Sequence, residues 1–226
     1  METAVQTREE VPPVAEINPS ASKGLDRRAL GRAASNLGVA AIFFLSLASQ
    51  AREYHGLTDL IWMLGAGLMG ILSLVRVPPK SALITFSSVV ATAFMMVTPL
   101  WMRPLPHMIA GPALLSCAIA VQFIGMILSL GARLYLGRRF GLLPANRGIV
   151  STGPFRLVRH PIYLGWLVLS FGFVIEYPTL RNIGLLTSIM PVMIWRIALE
   201  ERLLGQDPAY RPYCQATRYR VLPFIY

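Results

Sequence analysis

Three long stretches of this chain carry no charged side chain: Leu60 to Val75, Ser81 to Met102 and Met108 to Ala132. A run of about 18 or more apolar residues is long enough to cross the hydrocarbon core of a bilayer as a helix. Soluble domains rarely show such gaps, because about a quarter of their residues are charged; here the share is 14%. The chain is therefore read as an all-α integral membrane protein. Its length sets the number of spans rather than the number of soluble domains.

Six transmembrane helices are expected, over about Ala33 to Ala51, Leu57 to Val75, Ala82 to Met102, Met108 to Ala132, Pro161 to Tyr177 and Ile183 to Ala198. Arg76 with Pro78-Pro79 closes the second, and Arg103 with Pro104 and Pro106 closes the third. Residues 1–30 form a polar arm rich in Pro, Ser and Glu, expected to be disordered because it cannot bury a core. Ala48-Ser49-Gln50-Ala51 faintly resembles a signal-peptidase site, but the segment before it is too long and too acidic for a signal peptide. The first run is thus read as an uncleaved span. Residues 31–132 hold spans one to four, and residues 133–226 hold a long loop, spans five and six and an interfacial tail.

The net charge of +10 follows the loops. Eighteen of the Lys and Arg residues fall in the arm, in the loops after spans two and four, and from Arg196 onward, leaving only Arg52, Arg103 and Arg181 on the other side. By the positive-inside rule both termini are cytoplasmic in a multi-pass topology. Basic residues between spans, with no aromatic–basic RNA motif, point to anionic lipid and topology rather than to nucleic acid. Nineteen Arg against two Lys suggest a GC-rich bacterial gene, and hence a bacterial inner membrane. Cys117 and Cys214 have no CxxC partner, and His55, His107 and His160 are far apart, so no metal site or disulfide framework is read. In the tail, Tyr210, Tyr213, Tyr219, Phe224 and Tyr226 alternate with Arg211, Arg218 and Arg220, as suits the headgroup layer.

Polar groups near membrane depth are functional candidates by default, and here they form two clusters. The first runs from Arg147 to Gly165, where Gly148, Gly153 and Pro154 shape a loop and Pro161 starts a helix. His160 then stands at the mouth of the fifth span, beside free N–H groups that can receive an anion or a ligand oxygen. Tyr163 is three residues on, so both rings line one face. The bland alternatives are an interface role for Arg156 and Arg159, a helix cap for His160 and an aromatic-belt role for Tyr163. The second cluster is Arg196, Glu200 and Glu201. Arg196 and Glu200 are four apart, either a surface ion pair or a device to orient a charged ligand group, with Arg196 suited to a carboxylate. No P-loop, GxSxG or HExxH sequence is present.

The stretch Gly148 to Gly165, centred on Arg159-His160-Pro161-Ile162-Tyr163, resembles the isoprenylcysteine carboxyl methyltransferase family, whose membrane fold phospholipid N-methyltransferases share. Glu200-Glu201, then Tyr210 and Tyr213, then Pro223 match that family's second signature in order and spacing. The similarity covers roughly Leu134 to Tyr226, about 40% of the chain.

The resemblance implies an S-adenosylmethionine-dependent methyltransferase with a lipophilic or lipid acceptor. It implies that the main chain of Arg147, Gly148, Ile149 and Val150 lies against the cofactor. It likewise assigns His160, Pro161, Ile162 and Tyr163 to cofactor binding, has Glu200 hold the cofactor, and turns Arg196 toward the acceptor. Catalytic roles are thus expected for Arg196, His160 and Glu200. Phe155 stands where the family often has Tyr, a departure at a cofactor-binding position. A prenylcysteine-type carboxylate is the first expectation for the acceptor; a phospholipid amine, a small thiol or another lipid-borne carboxylate stay open. Outside this class stand a sterol-type reductase binding a nicotinamide cofactor and a non-catalytic membrane protein.

Overall fold

A computed structural model describes residues 19–52, 56–75, 77, 79–83, 85–102 and 111–225. Residues 1–18, His55, His107, Arg76, Arg103, Pro78, Pro104 and Pro106 lie outside the described residues. The protein is mostly helical. Its helices are α1 (Pro19–Arg52), α2 (Leu57–Leu74), α3 (Phe86–Trp101), α4 (Pro112–Leu136), α5 (Pro161–Glu176), α6 (Leu180–Leu204) and α7 (Tyr210–Ala216).

The arm expected to be disordered is already helical from Pro19, which corrects that boundary. Leu30, Ala33 and Ala34 are good helix formers, and no proline interrupts the run into the apolar segment. Two helices, Pro112–Arg139 and Leu180–Leu204, are long and apolar enough to cross a membrane. Shorter apolar helical stretches cover Ala33–Ala48, Asp59–Leu74, Phe86–Thr98 and Pro161–Glu176; α3 and α5 have 16 residues each, about 24 Å at 1.5 Å per residue against a hydrocarbon core of about 30 Å. The third apolar stretch starts later than expected because Ser81–Ala82 (β1) is drawn into an antiparallel ladder with Ala145–Asn146 (β2). That ladder is the exception to the all-α expectation.

α4 makes its most extensive contact with α5, and its pattern is that of a helix in lipid. Ala118, Gln122, Gly125, Met126, Ser129 and Ala132 are buried at helical spacing. Phe123, Ile124 and Ile127 face outward, each more than half exposed. Small residues inside and large apolar residues outside suit helices that associate by close packing rather than by expelling water. A Cβ placed at Gly165 of α5 would lie 2.5 Å from the Ser129 nitrogen and 2.8 Å from the Gly125 carbonyl, so the two backbones touch where only glycine fits. Further along, α1 packs on α2, α2 on α4 and α3 on α6.

The loops that carry charge gather at one end. Val77 N–H donates to the Arg138 carbonyl at 2.7 Å, Lys80 N–H to Asn146 at 2.7 Å, and Leu83 N–H to Pro144 at 3.0 Å. These bonds stitch the α2–α3 connection to the long loop after α4. The tail folds back on the same end: Arg159 N–H donates to Tyr219 at 2.9 Å and His160 N–H to Arg220 at 2.8 Å. Tyr210 and Tyr213 are buried against Ala132 and Phe155 rather than spread in a headgroup layer, a correction to their expected place. Val221 is buried against Ile189, Met193 and Ile197 of α6. Apolar and hydroxyl partners for the tail were at hand within the fold, so it packs there; Phe224 stays outward, 86% exposed.

Candidate active site

The loop before α5 is held by its own side chains. Asn146 accepts from Gly148 N–H at 2.8 Å, an Asx turn that turns the main chain back at once. Gly148 adopts φ +99°, which a side chain would strain. Asn146 also donates to Asp207 at 2.9 Å, tying the loop to the turn that follows α6. That bond and the one from Ala209 N–H hold the Asp207 carboxyl below its ordinary range. Arg147 Nε donates to the Val77 carbonyl at 3.0 Å. The Phe155 carbonyl accepts from the Tyr213 hydroxyl at 2.9 Å and from the Thr217 hydroxyl at 3.3 Å, while the Phe155 ring is buried.

Pro161 opens α5 and His160 caps it, so the helix projects His160 and Tyr163 from one turn, ring centroids 5.7 Å apart. The two adjacent glutamates of α6 then part company. Successive helical residues point about 100° apart, and the glutamates take different partners. Glu200 accepts the Tyr163 hydroxyl at 3.1 Å. Glu201, beyond the apolar part of α6, binds Arg159 at 2.8 Å, Arg220 Nε at 2.7 Å and His160 Nε2 at 3.3 Å. Burial opposes the charge on Glu201, but the hydrogen bonds from His160 and Arg220 and the charge of Arg159 outweigh it and bring the carboxyl down to about 2.

Of the two readings of Arg196 and Glu200, a direct ion pair is not formed among the described residues. Instead Tyr163 stands between them, receiving Arg196 Nε at 2.6 Å while donating to Glu200. Arg196 also donates from its other two nitrogens, to Thr92 of α3 and to the Leu142 carbonyl. It is thus a buried brace that joins α3, α5, α6 and the long loop.

Arg147, Gly148, Ile149, Val150, Phe155, His160, Pro161, Ile162, Tyr163, Arg196 and Glu200 all line one cavity of about 710 Å³. Its other end is largely apolar, walled by Phe43, Trp62, Met69, Met95, Met126 and Phe173, with Ser46 and Asp59 also on the wall. Sequence reasoning missed Asn146, although an Asn two residues before a Gly is a turn signal. It also missed Arg133, which lines the cavity from α4. Standing at the end of an apolar run, Arg133 looked like a topology marker.

The family model described as phospholipid methyltransferase matches residues 106–207. The match takes in α4, the loop with its glycine turn, α5, and α6 through both glutamates. No curated protein matches the chain.

Proposed function

We propose, from the premise that the chain belongs across residues 106–207 to the phospholipid methyltransferase family, that it transfers a methyl group from S-adenosylmethionine to a lipid-borne acceptor at the membrane surface. The observation that carries this is the two-ended cavity: a polar end with an open main-chain turn and a carboxylate, and an apolar end walled by helices. The polar end suits the cofactor. Gly148 brings bare main chain to the cavity wall. Among the described residues Glu200 accepts one hydrogen bond, from Tyr163, which leaves acceptor capacity for amino or hydroxyl groups of a ligand.

Bound S-adenosylmethionine would supply an activated methyl group. The chain's task is then to hold donor and acceptor in line and keep water out. Arg196 fixes Tyr163, and Tyr163 fixes Glu200, so the polar wall is set before any ligand arrives. Phe155, Tyr210 and Tyr213 pack against one another and Ala132 beside the loop, which limits water there. A carboxylate acceptor, the isoprenylcysteine-type case, is already ionised and needs no base. A phospholipid amine must lose a proton, and Glu200 and His160 are groups on the cavity that could take it.

The test is binding followed by transfer. The purified protein should bind S-adenosylmethionine and not NADPH, and should move labelled methyl groups into a lipid extract, whose labelled product identifies the acceptor. Glu200→Ala and His160→Ala should each weaken cofactor binding by about tenfold or more, as expected for loss of a charged acceptor on the cavity wall and of a ring held there by Glu201 at 3.3 Å. Binding of NADPH alone would rule out the methyltransferase.

A further inference from the structure

Resting on the methyltransferase assignment above, we propose that Arg133 receives the anionic group, phosphate or carboxylate, of the membrane-borne acceptor, and so selects lipids that carry one. Arg196, the residue expected to do this, has all three guanidinium nitrogens engaged within the protein. The other arginines on the cavity are engaged too. Arg159 pairs with Glu201 at 2.8 Å. Arg147 binds the Val77 carbonyl, and Arg139 reaches the Ile149 carbonyl at 3.5 Å.

Arg133 differs. A guanidinium has five N–H donors. Arg133 gives one nitrogen to Ser129, four residues back on its own helix, at 2.5 Å. Its Nε is shielded from solvent and has no hydrogen-bond partner among the described residues. Among the described residues no carboxylate pairs with it. A shielded cation without a counter-charge is costly unless a ligand supplies one.

Position names the ligand. Met126, Ser129, Arg133 and Leu136 all line the cavity from α4. Met126 packs with Ile61, Leu169 and Trp62, in the apolar half. Arg133 is seven residues further on, about 10 Å at 1.5 Å per residue, where the wall turns from apolar to cationic. A molecule with a hydrocarbon tail beside Met126 and Trp62 would bring an anionic head to Arg133. A bidentate guanidinium contact is the natural receptor for phosphate or carboxylate.

The full chain in an uncharged maltoside detergent can be titrated with dodecyl phosphate, dodecanol and inorganic phosphate, read as a rise in Tm. Dodecyl phosphate should stabilise the protein, and the other two at equal concentration should not. Arg133→Gln should weaken the dodecyl phosphate response by about tenfold or more, with Arg133→Lys recovering part of it. S-Adenosylmethionine affinity should stay within about twofold in both variants, since removing the head contact leaves the donor wall intact. An unchanged dodecyl phosphate response in Arg133→Gln overturns the assignment. So does a loss confined to S-adenosylmethionine binding, which would make Arg133 a donor residue. If the variant does not fold, the wild-type comparison still decides: equal stabilisation by dodecanol, or by inorganic phosphate, removes the lipid-borne anion. Absence of S-adenosylmethionine binding in the wild type would sink the methyltransferase instead, and would leave the dodecyl phosphate result standing.

Discussion

The α1–α2 and α4–α5 contacts both use glycine, but they meet different surfaces. A Cβ at Gly70 of α2 would come within 2.9 Å of the Phe44 ring edge on α1. A Cβ at Gly165 of α5 would meet the backbone nitrogen of Ser129 at 2.5 Å, and one at Gly172 would meet the Gln122 nitrogen at 2.8 Å. A ring can rotate away, whereas a helix backbone cannot. The region that carries the polar site is therefore built on rigid backbone contact. The wall facing the apolar end rests on side chains that can give way.

The largest expected effect tests the rigid contact. Gly165→Leu should cost about 3 kcal/mol or more, the upper end of overpacking, because backbone must move to admit it. Folded yield by size exclusion and a denaturation series would show this; a variant as stable as wild type would break the comparison.

A middle effect tests the polar end. Glu201→Gln removes the anion shared by Arg159, His160 and Arg220. The cost should be about 2 kcal/mol, below the roughly 3–5 kcal/mol of a fully buried pair, because Arg220 is 41% exposed. The tail should loosen, read as faster proteolysis near Arg218 and Arg220. The pH dependence has a definite sign. The Glu201 carboxyl is held at about 2, below an ordinary value of 4.5. Its stabilisation is full above about pH 4.5 and is lost as pH falls toward 2. The stability difference between wild type and Glu201→Gln should shrink across that window. A difference that stays constant would mean that the charge on Glu201 does not hold the tail.

The smallest effect is Gly70→Ala. Alanine gains up to about 1 kcal/mol of helix propensity, and the Phe44 ring can shift to admit it, so the variant should be as stable as wild type or slightly more so. A loss above about 1 kcal/mol would show that the α1–α2 contact is as rigid as α4–α5.

Much of the site was legible. Pro161 marks a helix start by its chemistry, and Gly148 and Gly153 mark turns, with φ +99° and +58°. The loop from Arg147 and the start of α5 therefore fell where the residues said. Other features were not legible. Arg196 and Glu200 sit at ion-pair spacing, and nothing local announces that Tyr163, 33 residues earlier, will stand between them. Thr92, on α3, gives no sign that it will accept from Arg196. The tail read as amphipathic because its aromatics alternate with arginines, yet Tyr213 spends its hydroxyl on the Phe155 carbonyl.

By itself, the sequence determined the apolar helices, their order, the loop that gathers charge and the residue types of the polar site. Those depend on hydropathy, proline and glycine, which act within a few residues. Only the tertiary structure decided which glutamate faces the cavity, that Arg196 is a brace, and that Arg133 stands on the cavity wall without a carboxylate partner among the described residues. Each of these depends on how one helix is rotated against another. The rotation is set by backbone contacts such as Gly165 on Ser129, between residues 36 apart in the chain, and no local pattern encodes them.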